Sequence, residues 1–232
     1  MMQAKDALEP AALMEKLTQL PDWRYGRGSL RTVLKCETSE AALSLFAAIG
    51  ELAQQANHHP DVDWRYNTLF VTLTSHDVGS RVTGRDTSLA QEISAHSVKH
   101  GAKAHPDLIR TVEIAIDTDA PQEISSMWKT ALGYRELADG SLVDPSGRGP
   151  AIWFQETETP NPNRLHLDIT IPFDQSAKTL EALGQSGAIL DSHSAPQFVV
   201  ATDHQGNRLC ICTEQEEKRR SELVEGSNFL LE

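Results

Sequence analysis

The sequence predicts an α+β protein in two parts, and three observations carry that expectation. Helical stripes and β-rich runs in the first half read α-β-β-α-β-α, which describes a small antiparallel sheet with helices on one face. A polar stretch containing Gly and Pro then interrupts the pattern. Beyond it a strand–helix–three-strand unit occurs twice, which predicts paired βαβββ modules.

Each element has its own signal. Pro10 lies in the first turn of an amphipathic helix over 9–20, where Leu13, Leu17 and Leu20 recur at helical spacing. The run 23–35 has strand character around a Gly26/Gly28 turn. Thr38 or Ser39 can cap the next helix, and Ala42, Leu45, Phe46, Ile49, Leu52, Ala53 and Ala56 form its buried stripe. That helix ends at Asn57-His58-His59-Pro60, because proline lacks a donor and disfavours helix in the residue before it. The run 64–75, rich in β-branched and aromatic residues, reads as one long strand, and Trp23, Trp64 and Tyr66 read as core residues rather than a substrate platform. After a loop containing Gly79 and Gly84, Thr87 or Ser88 caps a helix through Leu89, Ile93 and Val98. The polar stretch 100–107 separates the halves. Domains are expected over 1–103 and 111–214, with a linker at 104–110 and a charged tail at 215–232. In the second half, strand 111–117 and helix 122–132 lead to three short β segments ending at 153–155. Strand 164–171 and helix 175–183 then lead to strands 188–191, 197–202 and 208–213.

Composition narrows the function classes. A net charge of −12, spread along the chain without a basic stripe, disfavours nucleic acid and anionic membrane as partners. No stretch approaches the roughly 20 apolar residues of a membrane helix, and the start of the chain does not resemble a signal peptide. Cys36, Cys210 and Cys212 are odd in number and form no CxxC pair, which fits a reducing cytoplasm. Cys210 and Cys212 point the same way if they share a strand, as buried thiols or as redox or metal ligands.

Chemistry concentrates at the histidines. His58 and His59 leave a helix end, and His76 closes the following β run. Imidazoles near neutral pH can supply one protonated and one neutral group, the two states that acid/base catalysis needs. A zinc reading of the three is disfavoured, because adjacent side chains at a helix end diverge.

The run QQANHHPDVDWRYNTLFVTLTSHDVGSRVTGRD resembles the signature of the pterin-4a-carbinolamine dehydratase family, through His58, His59, Pro60, Tyr66, His76 and Asp86. The resemblance spans about 23–98 and implies a hydro-lyase acting on a 4a-hydroxytetrahydropterin, of the kind formed from tetrahydrobiopterin, with no cofactor. Carried over by position, His58 and His76 share the acid and base roles, and His59 orients substrate. Asp86 positions a histidine, hydrogen-bonds the pterin, or serves as a first-turn acid of the following helix. The family's acidic position before the first histidine is Gln54 here, a residue that can hydrogen-bond a pterin but cannot ionise. The resemblance also implies a homodimer or higher homo-oligomer.

Residues 108–213 resemble the glyoxalase/bleomycin-resistance (vicinal oxygen chelate) superfamily, through LIRTVEIAID, AIWFQETETPNPNRLHLDITI and ATDHQGNRLCIC. Members place four ligands on the inner faces of paired strands around a divalent metal. The matching positions are Glu113, Gln155, His166 and Cys210, and the thiol suits a softer ion than a carboxylate would. A dehydratase is the first expectation. Non-catalytic binding of pterin or another small molecule, a regulatory role, or a metal-dependent lyase in the second half are the alternatives.

Overall fold

Two sheets, one in each of two units, organise the chain; the computed structural model describes residues 6–158 and 163–213. The units divide between Ile109 and Arg110.

In the first unit, α1 (Pro10–Leu17) has proline in its first turn and buries Leu13. A hairpin follows, β1 (Arg24–Gly26) and β2 (Ser29–Lys35), turning through Arg27 and Gly28. Gly28 has φ of +70°, and a Cβ there would meet the Ser80 carbonyl oxygen at 2.3 Å, so both conformation and space demand glycine. The next helix, α2 (Ser39–Ala56), is capped by Thr38, whose hydroxyl accepts from the Ala41 amide. Ala42, Leu45, Ile49, Leu52 and Ala53 are buried as their spacing predicts. Phe46 and Ala56 depart from that stripe: both are exposed, Phe46 at 40 %, and Phe46 stacks on Trp64.

The single strand expected over 64–75 is instead the second arm of a hairpin, β3 (Asp61–Arg65) and β4 (Thr68–Leu73). Propensity reads the run as continuous. Tyr66 nevertheless takes φ of +53°, and the Asn67 side chain donates to the Cys36 carbonyl at 2.8 Å, which fixes the turn. Tyr66 is consequently 78 % exposed and Trp64 43 %, so neither belongs to the core as expected. Trp23 does, with its indole N–H donated to the Ser94 hydroxyl.

A single 3₁₀ turn (His76–Val78) leads to α3 (Gly84–Lys99). Thr83 caps this helix, in place of Thr87 or Ser88, because Asp86 reaches back to the Thr83 amide and closes a capping box. β5 (Lys103–Ala104) pairs with β2, and the His105 amide bonds the Val33 carbonyl. The start of the segment expected as a linker therefore joins the first sheet. That sheet runs β1-β2-β4-β3 with β5 on β2. Leu30, Leu34, Leu69 and Leu73 from its strands pack with Leu45, Ile49, Leu89 and Ile93 from α2 and α3.

The second unit contains β6 (Thr111–Thr118), α4 (Pro121–Leu132), β7 (Arg135–Glu136), β8 (Leu142–Val143) and β9 (Ala151–Glu156). β10 (Leu165–Ile171), α5 (Phe173–Gln185), β11 (Ile189–Asp191), β12 (Phe198–Thr202) and β13 (Arg208–Thr213) repeat that order. The sheet order β11-β12-β13-β10-β6-β9-β8-β7 is a palindrome. β6 and β10 are antiparallel at its centre, and each has the last strand of its own module parallel beside it. Alternation divides the sheet into two faces. Ile114, Ile116, Ile152 and Phe154 pack with Ile124 and Trp128 of α4. Glu113, Ala115 and Asp117 take the opposite face. Residue 214 and the expected tail lie outside the described residues. Among the described residues, no helix is long and apolar enough to cross a membrane.

Candidate active site

The C-terminus of α2 separates the two adjacent histidines. Asn57 adopts the left-handed conformation, φ +47°, that asparagine tolerates better than most residues. Its amide bonds the Gln54 carbonyl, and the His58 amide bonds the Ala53 carbonyl, which together make a Schellman ending. Pro60 follows and prevents the helix from resuming. His58 thereby turns inward and is 8 % exposed, while His59 remains at the surface.

Asp86, with no exposed surface, is the hub of the site. Its Oδ1 lies 2.7 Å from His58 Nε2. Its Oδ2 accepts from the Ser75 hydroxyl at 2.8 Å, the Thr83 amide at 2.7 Å and the Thr83 hydroxyl at 3.0 Å. A buried carboxylate survives desolvation only with such saturation. The capping box and the histidine contact use different oxygens, so Asp86 anchors α3 and orients His58 at once. With Nε2–H given to the carboxylate, His58 keeps Nδ1 as its acceptor.

His76 is exposed at the start of the 3₁₀ turn, adjacent in sequence to Ser75. One carboxylate therefore ties His58 to the backbone that carries His76. Asp77 in the same turn pairs with Arg85 in the first turn of α3, and this hydrogen bond holds the Arg85 guanidinium above its ordinary value. Gln54 is exposed in the last turn of α2, and its amide Nε2 lies 3.2 Å from His59 Nε2. Among the described residues, no hydrogen bond links Tyr66 to the Asp86 network. Sequence reasoning missed Ser75 and Thr83; the T-x-x-D spacing of Thr83 and Asp86, a capping-box variant, was the available signal.

The second unit gathers a separate polar cluster. In the strand ladders Cys210 is level with Asp168, and Asp168 with Glu113, so the three share a face. His166 is level with Ala115, and Ala115 with Trp153, one step along that face. The ligand atoms of His166, Asp168 and Cys210 lie within 4.8 Å of one another. Gln155 is level with Asp117, about 13 Å along the strands from the Glu113 row. Of the four positions named from sequence, His166 and Cys210 thus come together, Glu113 is level with Asp168 on the same face, and Gln155 is level with Asp117, one row beyond His166. Asp168, which sequence reasoning passed over, joins them. A divalent metal fits this donor set: imidazole, carboxylate and thiolate are all metal ligands, and His166 Nδ1 is buried without a hydrogen bond among the described residues.

Comparison with known proteins agrees with both halves. The family model described as pterin 4 alpha carbinolamine dehydratase matches residues 6–96, and that of a glyoxalase-like domain matches 113–212. A protein of Nocardia farcinica, provisionally named a pterin-4-alpha-carbinolamine dehydratase, is 35 % identical over 88 residues, which cover 38 % of this chain and 92 % of the relative. One from Acidobacterium capsulatum with the same provisional name is 38 % identical over 88 residues, covering 38 % and 95 %. A crystal structure of a transcriptional coactivator/pterin dehydratase from Brucella melitensis is 26 % identical and covers 40 % of this chain and 99 % of that one, with a TM-score of 0.38. A glyoxalase/bleomycin resistance protein/dioxygenase superfamily member from Vibrio splendidus is 12 % identical and covers 46 % and 100 %, with a TM-score of 0.31. Through its first unit, the chain belongs to the pterin-4-alpha-carbinolamine dehydratase family.

Proposed function

We propose that the first unit dehydrates 4a-hydroxytetrahydropterin to quinonoid dihydropterin, with His58 and His76 moving the protons. The reaction breaks the C4a–O bond, removes the N5 proton and forms C4a=N5, releasing water. His58 Nδ1 takes the N5 proton, since Asp86 stabilises the imidazolium that results. His76 protonates the departing hydroxyl and recovers a proton from solvent, to which it is exposed. His59, steadied by Gln54, orients the pterin. No cofactor takes part in this scheme. The observation that carries the reading is the Asp86 hub, which holds His58 and the strand end before His76 with one carboxylate.

The test is stopped-flow dehydration of chemically generated carbinolamine. Wild type is expected to exceed a His58→Ala/His76→Ala variant by about 100-fold or more. Equal rates would sink the reading. Gln54→Glu restores an ionisable group beside His59 and is expected to raise the rate. Self-association as a homodimer in the cytoplasm belongs to the same proposal. β3 ends the sheet path and offers an edge for it; a monomer in sedimentation equilibrium would remove that part.

A further inference from the structure

We infer that Arg85 is a positioning residue for His76: it ties the turn that carries this histidine to the helix that carries Asp86, and so sets the spacing of the two imidazoles. This role rests on the dehydration reading of the first unit.

His76 opens a 3₁₀ turn, His76–Val78, that ends on two left-handed residues, Gly79 at φ +70° and Ser80 at φ +59°. Backbone hydrogen bonds of this loop converge on Ser75. The amides of Val78 and Ser80 both donate to the Ser75 carbonyl, and the Ser75 amide donates to the Arg81 carbonyl. The Ser75 hydroxyl donates in turn to Asp86 Oδ2, which fixes the root of the loop. A turn fixed at its root alone keeps freedom at its outer edge, where His76 and Asp77 stand exposed.

Arg85 supplies a tie at that edge. Its Nη2 donates to Oδ1 of Asp77, the residue after His76, at 2.5 Å. Arg85 is the second residue of α3 and immediately precedes Asp86. Adjacent residues at one helix start therefore hold both histidine-bearing segments. Asp86 Oδ1 takes His58 Nε2 at 2.7 Å, and Arg85 takes the edge beside His76. The capping box closed by Thr83 makes this first turn rigid, so the backbone of α3 sets the distance between the two grips.

Stability alone does not account for an arginine here. The Asp77 side chain is 59 % exposed, and an ion pair with so exposed a partner contributes little to folding. The Arg85 side chain is 19 % exposed, and its Nε is buried without a hydrogen bond among the described residues, which works against folding. A cation in the first turn also opposes the helix dipole. What arginine does provide is a planar fork of donors at fixed angles, which a lysine ammonium lacks. Proton transfer responds steeply to such placement, since a displacement of about 1 Å can cost about 100-fold in rate.

The test is stopped-flow dehydration by the full chain. Arg85→Gln and Asp77→Ala are each expected to lower kcat about 5-fold to 50-fold with KM within about twofold of wild type. Their urea midpoints should stay close to wild type, which a merely structural role would not allow. Arg85→Lys keeps the charge and should recover part of the lost rate. In a His76→Ala background, Arg85→Gln should lower the rate no further, because it acts through the missing imidazole. Wild-type kcat in either single variant, a loss confined to KM, or an undiminished loss in the His76→Ala background would each overturn the inference and leave the dehydration reading standing. Should Arg85→Gln fail to fold, the exposed Asp77→Ala decides, with wild-type kcat overturning the role. A wild type no faster than His58→Ala/His76→Ala removes the reading and the inference together.

Discussion

At the residue scale, Asp86 carries two duties that substitutions can separate. Thr83→Ala removes the cap hydroxyl and one donor to Asp86 but leaves the His58 contact, so it should cost about 1 kcal/mol in urea unfolding and change dehydration little. Asp86→Asn keeps the shape but loses the charge facing His58. It is expected to lower the dehydration rate at least about tenfold and stability by about 1–3 kcal/mol, because a buried hydrogen-bonded charge is replaced by a neutral group. An Asp86→Asn variant with wild-type rate would contradict the positioning role. Gly28 is the other residue on which the site depends. Gly28→Ala forces a left-handed alanine against the Ser80 carbonyl, just beyond the turn that carries His76. It should lower stability by more than about 1 kcal/mol, read as a fall in Tm.

At the scale of elements, the Schellman ending of α2 explains why adjacent histidines do different things. Sequence spacing shows that the helix must stop before Pro60, but not which imidazole turns inward. The left-handed Asn57 decides that, by reversing the chain just before His58. Asn57→Gly should be neutral within a few tenths of a kcal/mol, whereas Asn57→Val should cost more than about 1 kcal/mol. In the second unit, the loop after β8 is built on one carboxylate. The Ser146 hydroxyl, then the amides of Ser146, Gly149 and Arg148, hold the Asp144 carboxyl down to about 2 from its ordinary 3.8. A depressed value means that its contribution to loop order is complete above the ordinary value and is lost as pH falls through about 2. The Ser146 and Gly149 amide resonances should therefore titrate together with a midpoint near 2; a midpoint near 3.8 would show that these bonds do not form in solution.

At the scale of the whole molecule, each unit has a hydrophobic cluster of its own. A fragment ending at Ile109 should accordingly fold and retain dehydration, as read by circular dichroism and the stopped-flow assay.

Much of this architecture was legible in the sequence because its periods are local. The α2 stripe, the βαβββ repeat and the helix stop before Pro60 each follow from side-chain spacing along a few turns or one strand. Legibility failed where a local signal was outweighed. The Tyr66-Asn67 turn is hidden inside a run of good strand formers, and its anchor, the Cys36 carbonyl, is remote in sequence. The cap of α3 moved to Thr83 because Asp86 is shared with His58 and Ser75, neither of which belongs to that helix. The second polar cluster shows the same limit. Which of Glu113, Gln155, His166, Asp168 and Cys210 meet depends on ladder register, and register is set by packing across strands rather than along them. The sequence by itself determined the element types, the two-part organisation and the histidines that carry the family resemblance, since these depend on short-range pattern. Tertiary structure alone decided that Asp86 grips His58, that His59 stays outside with Gln54, and that Asp168 stands with His166 and Cys210, because each is a contact between elements that no local period specifies.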